Sequence, residues 1–211
     1  MKHVTLTFVC LALGAAALPV SGGARVVYTK EFPGSVPAYV SITVEQDGST
    51  VYKEAVNDDY PLSFKLDPGD ASGVFQFAEK LDRFRKPLES GLNVAKMGVK
   101  TFRYEDGPAK SEAKFNYSQD EDAKLLHDFF ERITETAQIY MRLERSVKYD
   151  KLGVNQELLS FEAAGDRNRI IAPQQFLALL DRVAKNESYL HMARERAARL
   201  ADAIRARSKP E

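Results

Sequence analysis

The pattern of apolar and polar positions divides the chain into a strand-rich first part and a helical second part. Six stretches are expected to form strands: 25–32, 39–45, 49–55, 62–66, 99–104 and 111–117. Apolar residues alternate with polar ones, as in half-buried strands, most clearly in 39–45, 62–66 and 111–117. Asp47-Gly48 and Asp106-Gly107 each join two of these stretches, and Asp-Gly is a strong hairpin signal. We therefore expect a small, mainly antiparallel sheet of four or five strands.

A helical pattern separates the two hairpins, and a longer one follows the second. Asp67-Pro68 is a typical helix start and opens a pattern of three- and four-residue apolar spacing that reaches residue 84. The second pattern covers 119–148, with Ser118 as the expected cap and Glu121 as its capping-box partner. Its apolar stripe is longer than a small sheet requires. We expect its first half to cover the sheet and its second half to pack on the helices that follow.

The remainder of the chain predicts three further helices. One is expected after Asn155 with Gly165 just beyond its end, one starts at Ala172-Pro173, and the last starts at Asn186 or Ser188. In the last, small and apolar residues recur at a spacing of about 3.5: Leu190, Ala193, Ala197, Leu200, Ala201 and Ile204. This seam suits either a contact within the chain, which we expect, or a dimer face.

The expected fold class is therefore α+β. A small, mainly antiparallel sheet is packed by two helices and followed by a C-terminal helical subdomain. The expected organisation is a signal peptide over 1–24, an α+β module closed by the long helix over 25–148, and the helical subdomain over 149–211.

Residues 1–24 have the features of a secretory signal peptide. A positively charged start precedes an uncharged apolar run over 4–18, and small residues end at Ala24. We expect cleavage after Ala24, with a cut after Ala17 as the alternative. The apolar run is shorter than the ~20 residues that cross a bilayer, so no membrane span is expected after cleavage. We expect the protein to be exported, to a periplasm or to the medium.

Charge, cysteine content and motifs limit the kinds of partner and activity that we expect. The chain has 211 residues and a formal net charge of zero, so no overall positive field attracts nucleic acid, and no nucleic-acid partner is expected. Its single cysteine, Cys10, lies in the signal region, which leaves the expected mature chain without a disulfide or a thiolate nucleophile. Nucleophile-elbow, phosphate-loop and dinucleotide motifs are absent from the sequence, so we expect no enzyme activity and no cofactor.

Two histidines remain in the expected mature chain. His127 and Glu131 lie four residues apart on one helix, which is a spacing that can share a metal. However, His127 lies roughly 130° from the centre of the stripe that we place at Leu125, Phe129 and Ile133. We expect His127 and His191 to be ordinary solvated residues, and we expect no metal site.

One loop is the candidate for partner binding: Phe32, Pro33, Gly34, Ser35, Val36 and Pro37. Two prolines and a glycine stop regular structure there, and they can present Phe32 and Val36 on a stiff backbone. The alternative is that these two side chains plug the edge of the sheet.

Three stretches carry a resemblance to a known family: ITVEQDGSTVYKEA, PLSFKLDPGDASGVFQFAEKLDRF and VKTFRYEDGPAKSEAKFNYSQDEDAKLLHDFFERI. Over about 38–135 the layout resembles emfourin-type inhibitors of thermolysin-like metallopeptidases. The resemblance implies a hairpin, a strand leading into a helix, a second hairpin and a closing helix. The whole chain also resembles uncharacterised exported bacterial proteins.

These observations predict an exported, non-catalytic binding protein whose partner is another protein. The resemblance implies a secreted peptidase as that partner, although it identifies no inhibitory residue. The alternative is a structural or assembly subunit of the cell envelope that interacts through its C-terminal helices.

Overall fold

The computed structural model of the protein describes residues 23–207. The elements in chain order are β1 (Arg25–Glu31), β2 (Tyr39–Glu45), β3 (Ser49–Lys53), β4 (Leu62–Lys65), α1 (Pro68–Lys80), β5 (Val99–Asp106), β6 (Ala109–Phe115), α2 (Glu121–Tyr149), α3 (Val154–Asp166), α4 (Leu177–Lys185) and α5 (His191–Arg207). Short 3-10 turns occupy Asp82–Phe84 and Pro173–Phe176.

The strands form one six-stranded sheet in the order β4-β3-β2-β1-β5-β6. Every neighbouring pair is antiparallel, which confirms the α+β class with a helical C-terminal region. The sheet is larger than the expected four or five strands. The reason is that β1 pairs with both β2 and β5 and so joins the two hairpins into one sheet.

One face of the sheet forms the main core together with α1 and the first half of α2. Alternate strand residues such as Tyr28, Ile42 and Phe102 are fully buried on that face. Aromatic rings fill its centre, and Tyr28 stacks on Phe130 of α2 with ring centroids 4.8 Å apart. The expectation that two helices pack the sheet is confirmed.

A second core lies between the later half of α2 and helices α3, α4 and α5. Phe176 is fully buried there and packs against Phe161 with ring centroids 4.2 Å apart. Ala193, Ala197 and Ala201 of α5 also lie in this core. The alanine seam is thus a contact within the chain, as expected. Helix α2 contributes to both cores, which confirms that its two halves have different partners.

Several helix boundaries differ from the expected ones. Helix α1 ends at Lys80 rather than at 84, α3 begins at Val154 with Asn155 inside it, and α5 begins at His191 rather than at Asn186 or Ser188. Helix α2 starts at Glu121 because Asp120, rather than Ser118, accepts a hydrogen bond from the backbone N–H of Ala123 at 3.1 Å. Gly165 lies inside α3 rather than beyond its end. An aspartate is as good a cap as a serine, so Asp120 can take the role expected of Ser118.

After α1 the chain makes a left-handed turn, with φ of 54°, 51° and 62° at Asp82, Arg83 and Phe84. This conformation costs about 1–2 kcal/mol per non-glycine residue. Burial of the Phe84 ring, 5.2 Å from the ring of Phe102, offsets part of that cost.

The described part of the chain contains no helix long and apolar enough to cross a membrane. The expected signal peptide falls almost wholly outside the described residues. Of that segment the structure describes only Gly23 and Ala24, and Ala24 is buried in the main core.

Candidate functional site

The 32–37 loop connects β1 to β2 at one end of the sheet and is held by its own serine. The Ser35 hydroxyl lies 2.7 Å from the carbonyl oxygens of both Phe32 and Pro37, and the Ser35 N–H donates to Phe32 O at 3.0 Å. Phe32 N donates to Ala38 O at 2.9 Å and closes the loop. A loop restrained in this way loses less conformational entropy on binding than a mobile one.

The side chains of Phe32 and Val36 differ in their exposure to solvent. Phe32 is partly buried, whereas Val36 is fully exposed at 100%. The alternative in which both side chains plug the edge of the sheet is therefore wrong for Val36. Val36 and Pro37 border an open cleft of about 420 Å³ that Met141, Arg142 and Arg145 of α2 line from the other side.

A second segment, 89–99, lies beside the loop and has no regular structure before β5 begins at Val99. The side chain of Asn116 holds it. Asn116 Nδ2 donates to Ala95 O at 3.0 Å, and Asn116 Oδ1 accepts from Met97 N at 2.8 Å. Glu89 accepts the Asn116 backbone N–H at 2.6 Å, and this hydrogen bond lowers the pKa of Glu89.

Between the loop and this segment lies an open groove of about 600 Å³, which we call the end groove. Its lining is largely apolar and includes Phe32, Pro33, Leu92, Val94 and Val99, with Glu31, Glu89 and Lys96 as its charged residues. Leu92 and Val99 are each 50% exposed. The sequence pattern indicates only the loop as a site, because the 89–99 segment has no periodicity and no motif.

Gly98 allows the two walls of the end groove to approach each other. Its φ is +87°, and a Cβ at this position would lie 2.7 Å from Phe32 Cβ and 2.8 Å from the carbonyl oxygen of Glu31. Gly91 has a similar φ of +69° but nothing within 4 Å of its Cβ position.

We expect Gly98→Ala to lower the free energy of unfolding by about 2 kcal/mol, since it adds a backbone clash to the strain of a left-handed alanine. Gly91→Ala is the matched control, and it should cost only about 1 kcal/mol because it carries the strain without the clash. Urea unfolding of both variants measures the difference. Equal losses would show that the contact at Gly98 does not matter.

A cluster of polar side chains lies between strand β1 and helix α2. Glu131 accepts a hydrogen bond from the Tyr28 hydroxyl at 2.9 Å and one from Lys30 Nζ at 2.8 Å. His127 Nδ1 lies 3.3 Å from the same hydroxyl. Lys100, on the neighbouring strand, donates to the carbonyl oxygen of Asn116 at 2.7 Å.

The expectation that His127 is solvated is wrong, because its side chain is only 27% exposed and packs against Tyr28 and Phe115. The buried stripe of α2 is centred on Leu126, Phe130 and Ile133, whereas Leu125 is 56% exposed. The expected stripe was therefore displaced by one residue. That displacement places His127 roughly 90° from the centre of the buried stripe, at its border.

Burial and charge set the protonation states in this cluster. Burial, with contributions from Lys100 and Lys30, lowers the pKa of His127. Burial by itself would raise the pKa of Glu131, but the Lys30 and Tyr28 hydrogen bonds outweigh it, so this pKa is lowered. Burial and the neighbouring Glu131 carboxylate raise the pKa of Tyr28.

The cluster does not have the geometry of an active site. A base must reach a substrate proton, and the Glu131 carboxylate is already engaged by Tyr28 and Lys30. The adjacent cavity measures only about 130 Å³, below the ~300–1,000 Å³ of most ligand sites. The arrangement therefore fits a structural link between α2 and the sheet.

The other residues considered for chemistry lie apart. His191 is exposed, at 80% for its side chain, and faces Glu195 of the same helix at 3.1 Å. Within residues 23–207, no group of three or more His, Cys, Asp or Glu side chains is placed to hold a metal ion.

Comparison of the chain with models of known protein families gives no match. A search of curated proteins likewise gives no match.

Proposed function

We propose that the protein is an exported, non-catalytic binding protein that holds a segment of a partner protein in the end groove. The observation that carries the proposal is the groove itself. It is an apolar cleft of about 600 Å³ with half-exposed Leu92 and Val99, between a loop and a segment that are both restrained. Interface centres of this kind are apolar, well ordered and rimmed by polar groups.

A secreted peptidase is the partner that we propose. The resemblance of residues about 38–135 to emfourin-type inhibitors supports this assignment, and the wall of the end groove that residues 89–99 and Asn116 form lies within that region. The fully exposed Val36 also supports it. A rigid loop with a projecting apolar side chain can enter a peptidase pocket at little entropic cost.

Export is part of the proposal, and it rests on the apolar run over 4–18 and the small residues that follow. The burial of Ala24 bears on the position of the cut. Cleavage after Ala24 would remove this residue from the core, and cleavage after Ala17 would retain it. N-terminal sequencing of the secreted chain distinguishes the two.

The alternative of an envelope assembly subunit depended on the alanine seam of α5. That seam is used inside the chain, so it provides no free surface for a partner.

Inhibition of a thermolysin-like metallopeptidase tests the function. We expect the wild-type chain to inhibit cleavage of a fluorogenic peptide stoichiometrically, and Val94→Asp to weaken inhibition at least about tenfold, because a charge in the apolar groove must be desolvated. Val56→Asp is the matched control, since Val56 is 70% exposed in the turn before β4, outside the groove.

The outcomes separate the parts of the proposal. No inhibition at micromolar excess removes the peptidase as partner. Inhibition that Val94→Asp and Val56→Asp weaken equally removes the end groove as the binding surface. Asn116→Ala, which frees the 89–99 segment, should weaken inhibition in the same direction as Val94→Asp.

A further inference from the structure

Strand β4 is a terminal strand of the sheet, and its outer edge is not paired with another described strand. Leu66 N donates to Gly48 O at 2.9 Å, which is toward β3. Backbone groups alternate in direction along a strand, so those of Ser63 and Lys65 point to the outer edge. The amide of Gln174 reaches Lys65 O from that side.

A cleft of about 600 Å³ runs along this edge. Five consecutive residues, Leu62 to Leu66, line it on one side. Side chains of successive strand residues point to opposite faces, so a cleft that touches all five must follow the backbone edge. Tyr140 of α2 and the Gln174-Gln175 pair form the opposite wall.

The two edges of the sheet differ in how well they are protected against pairing with another strand. The β6 edge carries three exposed charged residues, Lys110, Glu112 and Lys114, and charges are a common device against edge-to-edge pairing. The β4 edge has Lys65 alone, and its Nζ lies 3.6 Å from Asp47 in the β2–β3 turn. The β4 edge is therefore open to pairing.

Glutamine side chains already occupy part of the place of a partner strand. Gln174 Nε2 donates to Asp67 Oδ1 at 2.9 Å and only weakly, at 3.4 Å, to Lys65 O. The side-chain oxygen of Gln175 is buried and has no hydrogen-bond partner among residues 23–207. A side-chain amide has the same kinds of donor and acceptor as a peptide bond, so a peptide backbone can replace the long contact at Lys65 O with a better one.

We propose that this edge binds an extended segment of a partner polypeptide, which pairs with β4 as a seventh strand. Main-chain hydrogen bonds to Ser63 and Lys65 supply the affinity, and alternate apolar side chains of the segment contact Leu62, Phe64 and Tyr140. The cleft has walls formed by α2 and the Pro173–Phe176 turn. Such a cleft suits a single strand better than the sheet of a second copy. The site is separate from the end groove and does not depend on it.

The test uses the full chain and a fluorescein-labelled peptide of residues 49–55, STVYKEA, as the probe. The β3 part of this sequence already pairs with the inner edge of β4. Fluorescence anisotropy should show saturable binding. N-methylation of alternate peptide nitrogens, which removes backbone donors and leaves side chains unchanged, should weaken binding at least tenfold.

Ser63→Pro removes an outward N–H at an edge position where proline is tolerated, and it should also weaken binding at least tenfold. Lys114→Pro is the matched control on the β6 edge, and it should leave binding unchanged. Amide hydrogen exchange in the wild-type chain should slow at Ser63 and Lys65 when the peptide is added. This readout needs no variant.

Absence of saturable binding, or binding that neither N-methylation nor Ser63→Pro weakens, overturns the proposal. A concentration-dependent dimer in light scattering that Ser63→Pro abolishes would assign the edge to a second copy instead and would also overturn it. Val94→Asp should leave peptide binding intact, so failure at this edge is distinguishable from failure of the end groove.

Discussion

Replacing Phe102 with alanine is expected to lower the free energy of unfolding by about 3–5 kcal/mol, the range for a fully buried aromatic residue. Phe102 has no exposed surface and lies at the centre of the main core. Its ring centroid lies 5.1 Å from that of Phe115, 5.2 Å from that of Phe84 and 5.8 Å from that of Tyr28. Its removal therefore leaves a cavity that several rigid rings cannot fill.

The loss should extend beyond the sheet, because α2 belongs to both cores. Ile171 and Ala172, which precede α4, also lie in the main core, and Ile171 N donates to the Thr136 hydroxyl at 3.0 Å. We expect the sheet and the helical region to unfold in one common transition, and we expect Phe102→Ala and Phe176→Ala each to shift it. Circular dichroism at increasing urea concentration measures this transition.

Two transitions in either variant would show that the helical region unfolds independently of the sheet. Phe77→Ala is a suitable control, since Phe77 is only partly buried, and its loss should stay below about 2 kcal/mol because less apolar surface returns to water.

Replacing Glu131 with glutamine should cost about 2 kcal/mol, between the values for breaking an exposed ion pair and a fully buried one. Its side chain is 29% exposed and that of Lys30 is 25% exposed, so the pair is largely withdrawn from water. The substitution leaves the Lys30 ammonium without its carboxylate. Glu121→Gln on the same helix is the control, because the Glu121 side chain is 81% exposed and such pairs contribute ~0–1 kcal/mol.

The same cluster should make the wild-type protein sensitive to acid in two steps. The pKa of His127 is lowered below its ordinary 6.5 in the fold, so the unfolded chain binds the proton first and stability falls as the pH drops below 6.5. The pKa of Glu131 is lowered below its ordinary 4.5. Its contribution is therefore complete above pH 4.5 and is lost as the pH falls through the folded-state pKa.

Urea unfolding between pH 7 and pH 3 measures both steps. His127→Gln should reduce the upper step, and Glu131→Gln should reduce the lower one. Lys30, Lys100 and Asp128 also face this pair of groups, so their charges should change the size of each step but not its direction. A stability profile that neither variant alters would refute the role of the cluster.

Local sequence signals were sufficient to predict most of the helices and strands. Alternation located β2, β4 and β6, Asp-Gly located the turns before β3 and β6, and Asp67-Pro68 located the start of α1. These signals act over a few residues, through backbone sterics and side-chain burial. The number of strands in one sheet was underestimated because pairing of β1 with β5 joins residues far apart in the chain, and no local pattern encodes it.

The sequence indicated only one of the two walls of the end groove. The 32–37 loop stands out by its prolines and glycine, whereas the opposite wall of the end groove is an aperiodic segment held by Asn116, whose side chain contacts residues about twenty positions earlier. His127 shows the same limit. Leu125-Leu126 and Phe129-Phe130 offer two possible stripes, and only the packing of Phe130 on Tyr28 selects between them.

Periodicity and turn chemistry thus determine the α+β class and the helical C-terminal part. The sequence also shows by itself that familiar catalytic motifs are absent from it. Tertiary packing decides which face of α2 is buried, which strand edge stays open, and where the end groove forms. The reason is physical: a residue's conformational preference depends on its neighbours in the chain, whereas its exposure and protonation depend on groups brought near it only by folding.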